Sequence, residues 1–176
     1  MYVSSRTGLI VGLVALAAFS RLIPHPPNLA AVGAVGLFAG ASLGSRRASL
    51  LVPLAAMFLS DLVLGLSWMS FVIYAAMSIY VVAGWWAGDQ IRPGRLVGAS
   101  LFGSTSFFLI TNFACWWSMY DHSLSGLATC YFAAIPFFQN TLLGDLAFGG
   151  VLFTTLKLAE IKLPGVRVPQ PQEAFV

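Results

Sequence analysis

Six long apolar stretches, each nearly free of charge, recur along the chain: residues 7–22, 28–44, 48–66, 70–87, 97–114 and 137–159. A helix needs roughly 20 apolar residues to cross about 30 Å of hydrocarbon, so each stretch reads as a transmembrane helix, the first two being short for the task. The pattern predicts an all-α polytopic membrane protein with six transmembrane helices. Between the fifth and sixth stretches lie a semi-polar segment, Trp116 to Ser125, and an apolar one, Gly126 to Ile135, too short to cross alone. Pro136 is expected to end this piece, which predicts a short interfacial or re-entrant helix packed against the bundle, because unpaired backbone is not tolerated in lipid.

Composition supports the same class. Of 176 residues, 59% are hydrophobic and 9% charged, against about 25% charged in an ordinary soluble domain. The chain is expected to form one transmembrane domain over 1–160, followed by a flexible, proline-rich cytoplasmic tail over 161–176. The apolar run from Gly8 to Phe19 follows a single arginine and is read as a retained first span, not a signal peptide.

Charge sets the orientation. With both termini inside, Arg6, Arg46, Arg47, Arg92, Arg95, Lys157, Lys162 and Arg167 fall on the cytoplasmic side, eight of the nine basic residues. That asymmetry obeys the positive-inside rule and predicts a multi-pass protein of the inner (cytoplasmic) membrane. Basic residues scattered between apolar segments make no phosphate-binding face, so nucleic acid is excluded as a partner. Cys115 and Cys130 make neither a disulfide framework nor a metal-ligand spacing. No HExxH, GxSxG or P-loop is present, and neither an enzyme nor a bound cofactor or metal is expected.

The basic residue that breaks the rule, Arg21, lies in "SRLIPHPPN", a proline-stiffened knot between two apolar runs. On the predicted topology Asp61, Asn112, Asn140 and Asp145 fall in the outer halves of their spans, and His25, Asn28 and Trp116 in the outer loops. Charges in hydrocarbon cost a few kcal/mol unless they face the bundle interior and find partners. Arg21 is therefore expected to pair with Asp145 or Asp61, the asparagines to complete the hydrogen bonds, and Pro24, Pro26 and Pro27 to stop the first helix and hold a loop over the cluster. Asn28 is placed to cap the second helix. Arg21, His25, Asn28, Asp61, Asn112, Trp116, Asn140 and Asp145 form the candidate ligand-binding set, Arg21 meeting an anionic group and an aromatic stacking on a planar one. The competing reading is that the cluster is internal glue in a structural or assembly subunit of a larger membrane complex. Gly36, Gly40 and Gly44, spaced by four, predict close packing within the bundle.

The stretches "RLIPHPPN", "FLSDLVLG", "FFLITNFACWW" and "CYFAAIPFFQNTLLGDL" resemble a family of small bacterial integral membrane proteins that carries an unknown-function label, over about residues 8 to 160. More distantly, the architecture resembles the substrate-binding S components of energy-coupling factor transporters. That resemblance implies capture of a vitamin-like small molecule in an outward-facing pocket covered by loops. It also implies delivery by toppling when a transmembrane partner and its ATPases engage. The family's Ala-x-x-x-Ala surface on the first helix has only a loose equivalent here, in Gly8 and Gly12.

Overall fold

The computed structural model describes residues 5–88 and 92–166. Among them every regular element is helical: α1 Ser5–Phe19, α2 Val32–Ser42, α3 Arg46–Leu64, α4 Trp68–Ala87, α5 Pro93–Met119 and α6 Leu124–Lys162, with single 3-10 turns at Ser20–Leu22 and Pro164–Val166. Five segments are long and apolar enough to cross a membrane: Ser5–Leu22, α3, α4, α5 and α6.

The sixth helix, α2, is different in kind. Its 11 residues reach only about 16 Å, roughly half the hydrocarbon thickness. Every residue from Gly33 to Ser42 is buried. A helix apolar all round stays out of water, and α2, too short to reach both surfaces, touches all five others, which follow one another around it in the order α1, α3, α4, α5, α6. Glycine permits the enclosure. A Cβ on Gly40 would run into the Val81 carbonyl, and one on Gly84 would meet the Leu37 carbonyl and the Ala41 nitrogen, so α2 and α4 pack backbone on backbone. Gly36 and Gly40 thus make the contact their spacing predicts, whereas Gly44, Gly8 and Gly12 have nothing within 4 Å of an added Cβ.

The stretch 28–44, read from its hydropathy as a helix throughout, is helical only over Val32–Ser42. Ile23 is extended, as a residue before proline prefers. Leu29 N–H then closes a turn onto the Pro26 carbonyl at 3.0 Å. Asn28 takes the left-handed φ of 63°, which asparagine tolerates better than most residues.

One end of the bundle is basic. Arg6 Nη1 donates to the Ser42 carbonyl at 2.7 Å and its Nε to Glu160 at 3.1 Å, joining the start of α1 to the ends of α2 and α6. Arg46 lies 5.5 Å over the Trp85 ring, joining α3 to α4. Arg47, Arg92, Arg95, Lys157 and Lys162 belong to the same helix ends, while Arg167 lies outside the described residues.

Two expected boundaries are corrected. No separate interfacial helix stands between the fifth and sixth spans: α5 runs on through Trp116 to Met119, and residues 124–135 are the opening turns of α6, which continues unbroken past Pro136. The helix is already established upstream, where the Ser123 side chain caps Gly126 N–H at 3.1 Å. Pro136 and Phe132, whose carbonyl loses its partner, are both exposed, so nothing has to fit around the altered turn. Of the tail expected over 161–176, α6 takes the chain to Lys162 and Val166 is buried at 4% exposure against α1 and α6; residues 167–176 lie outside the described residues.

Candidate functional site

Toward the end of the bundle opposite the basic residues, two buried carboxylates organise separate polar groups. The 3-10 turn after α1 carries Arg21 against α3, where Nη1 meets Asp61 Oδ1 at 2.8 Å, Ser60 Oγ at 2.9 Å and Met57 Sδ at 3.3 Å. The other oxygen of Asp61 accepts the Tyr74 hydroxyl of α4 at 2.7 Å. Of the two acids considered for Arg21, Asp61 is the one it pairs with. All three contacts use Nη1, so Nε and Nη2 have no partner among the described residues.

Asp145, on α6 and 2% exposed, serves α2 instead. Its Oδ1 accepts Ala34 N–H at 3.1 Å; its Oδ2 accepts the Ser104 hydroxyl of α5 at 2.7 Å and the Tyr80 hydroxyl of α4. The reason lies in the helix end. The first N–H groups of any helix lack partners and carry partial positive charge, α2 begins inside the bundle, and its own N-cap residue Ala31 offers no side chain to them. A carboxylate from another helix satisfies both needs. Asn28, expected to cap this helix, sits four residues upstream in the exposed turn and does not do so. Gly33 is required by the close approach, since a Cβ there would collide with Asp145 Oδ1 and the Tyr80 ring.

Between the two groups lies a cavity of about 150 Å³, bounded by Arg21, His25, Asn28, Gly33, Ile73, Tyr80, Phe107, Thr141 and Asp145. Its walls combine apolar surface with a guanidinium, an imidazole and a carboxylate. The loop above is pinned by Asn140, whose Nδ2 donates to the Pro27 carbonyl at 2.9 Å. His25 Nδ1 lies 3.0 Å from the Pro26 carbonyl.

The eight residues chosen from the sequence thus divide. Arg21, His25, Asn28 and Asp145 line the cavity, Asp61 holds Arg21, and Asn140 holds the loop. Asn112 and Trp116 do not join them. Asn112 donates to the Phe108 carbonyl of its own helix at 2.8 Å, and Trp116 bonds the Asp121 carbonyl at 3.0 Å in the turn between α5 and α6, where Trp117 stacks on His122. Polarity nominated both, but their needs are met locally. Tyr80, Tyr74, Gly33, Ser104 and Thr141 were not nominated. A tyrosine within an apolar span was the available signal, because a buried phenol seeks a partner. Among the described residues no group of His, Cys, Asp or Glu could hold a metal ion.

Helices long and apolar enough to cross a membrane, enclosing a short helix whose N-terminus faces a polar cavity, are consistent with a multi-pass helical membrane protein that holds a buried polar site. The chain belongs to a family of unknown function, DUF6580, whose model it matches over residues 2–168. No curated protein and no solved structure matches it.

Proposed function

We propose that this chain is a membrane substrate-binding or transport protein, similar in plan to the S components of energy-coupling factor transporters. It captures a small molecule from the side opposite its basic end. The observation that carries this reading is the 150 Å³ cavity in which Arg21, His25, Thr141, Tyr80 and Asp145 converge at the start of a broken helix. Broken helices whose ends meet a substrate within the membrane are a recurrent way to build such sites. The extended loop and α2 together make the second of six crossings, and the basic end is cytoplasmic by the positive-inside rule, with the inner membrane as the location.

Size and charge narrow the ligand. A cavity of this volume holds about a benzene ring, so the bound group is a small polar molecule, or the polar head of a larger one admitted when the loop over residues 23–31 lifts. Arg21, with two nitrogens free of partners among the described residues, would take an anionic or carbonyl oxygen. Energy for release would come from a partner chain in the membrane.

A second reading, a structural or assembly subunit, is favoured by the saturation of the acids: Asp61 is held by Arg21 and Tyr74, and Asp145 accepts hydrogen bonds from α2, α4 and α5. Native mass spectrometry of protein gently extracted from its own membrane separates the two. Capture predicts a defined small molecule on the wild type that is lost from a folded Arg21→Gln variant. A bare chain, or one arriving only in fixed stoichiometry with other proteins, supports the subunit reading.

A further inference from the structure

Asp145 borders two cavities. Besides the one described, a half-open space of about 280 Å³, walled mostly by apolar side chains such as Val97, Leu146 and Phe153, runs from the same carboxylate toward the basic end, between α5 and α6, past Ser100, Gly149 and Thr154 to Pro93 at the start of α5. Ser100 is 3% exposed and faces this space, and its Oγ is the one buried side-chain polar atom without a partner among the described residues. A buried hydroxyl left without a partner costs free energy, and it marks where water would sit. The cavity exceeds the roughly 30 Å³ share of a water molecule many times over, and Ser100, Asp145 and Thr154 supply polar contacts.

The geometry points to Asp145 as a proton-exchanging carboxylate reached from both ends of the protein, through the loop-covered cavity on one side and, on the other, through water admitted to the space that passes Ser100 and Thr154. The inference rests on the capture and transport reading and adds a proton-binding step to it. The carboxylate takes a proton from water in one cavity and returns it to water in the other; no further bond is made or broken. Protonation removes the negative cap on α2, so proton occupancy and the seating of the broken helix are linked.

The groups facing Asp145 are few. Tyr80 of α4 and Ser104 of α5 donate to it, α2 offers N–H groups and no ionisable side chain, and Arg21 and His25 line the cavity it shares with them. Arg21 is engaged by Asp61. Among the described residues Asp145 thus has no cationic partner of its own, and proton binding there breaks no ion pair.

Two measurements on the full chain in liposomes test this. Infrared difference spectra on lowering the pH from mildly alkaline to mildly acid should gain the carbonyl band of a protonated carboxylic acid. That band should be lost in Asp145→Asn and kept in Asp61→Asn. Absence of the band from the wild type overturns the proposal.

For access, Ser100→Cys, with Thr154→Cys as a second variant, is introduced with Cys115 and Cys130 replaced by serine. A membrane-impermeant thiol reagent applied at the basic end should label both. Labelling of neither, or only from the opposite end, means that the α5–α6 space holds lipid and Asp145 opens to one side, which also overturns the proposal. Neither readout needs the captured ligand, so a protein that passes both and retains no small molecule fails the capture reading alone.

Discussion

Asp145 Oδ1 accepts the amide of Ala34 across 111 positions of sequence, at 3.1 Å, so the residue that caps α2 comes from α6. Removing the carboxylate leaves the Tyr80 hydroxyl and the end of α2 without their acceptor inside the bundle, while Ser104 falls back on the Ser100 carbonyl at 2.9 Å. Asp145→Ala is expected to lower stability by about 3 kcal/mol, combining a lost helix cap with unsatisfied buried donors. Asp145→Asn, which keeps one acceptor oxygen, should lose roughly half as much. Unfolding followed in detergent by tryptophan fluorescence checks the order, and equal losses in the two variants would contradict it.

The Arg21–Asp61 pair is expected to show the asymmetry of buried ions. Arg21→Ala strands a carboxylate at 3% exposure and should cost about 3–5 kcal/mol. Asp61→Asn with Arg21→Gln, which removes both charges, should recover most of that loss. Additive losses in the double-mutant cycle would mean that the pair does not interact as described.

Glycine substitutions separate packing from propensity. Gly40→Ala and Gly84→Ala place a methyl against the backbone of the facing helix and should destabilise by about 1–3 kcal/mol through overpacking. Gly12→Ala, with nothing within 4 Å, should be neutral or stabilise by up to about 1 kcal/mol, since alanine is the better helix former. Thermal unfolding of the three variants in one detergent makes the comparison, and it fails if Gly12→Ala is the most damaging.

Asn140 holds the loop through one bond to the Pro27 carbonyl. Asn140→Ala should change global stability by no more than about 1 kcal/mol while markedly raising hydrogen exchange at the loop amides of Ile23 to Ala31. On the capture reading it should also speed ligand loss. Unchanged exchange would show that the prolines alone hold the loop.

The membrane character, most of the helices and the gathering of the basic residues at one end were legible in the sequence, because hydropathy and charge act residue by residue and need no knowledge of neighbours. Arg21, Asp61 and Asp145 could be singled out for the same reason: a charge among apolar residues must find a partner wherever it sits. Which partner it finds was beyond the pattern. Arg21 meets Asp61 because the turn after α1 lies against α3, and Asp145 meets Ala34 because α2 starts inside the ring of the other five helices. The prolines marked residues 24–27 as loop, but hydropathy could not tell that 28–31 are loop too and only Val32–Ser42 helix, since Leu29 to Ala31 are as apolar as the helix that follows. Nor could it foresee that α6 would pass Pro136, because a proline's effect depends on whether anything must fit around the bend. The sequence determined that polar groups would be buried; tertiary structure alone decided which helices share each carboxylate, because those contacts join residues far apart along the chain.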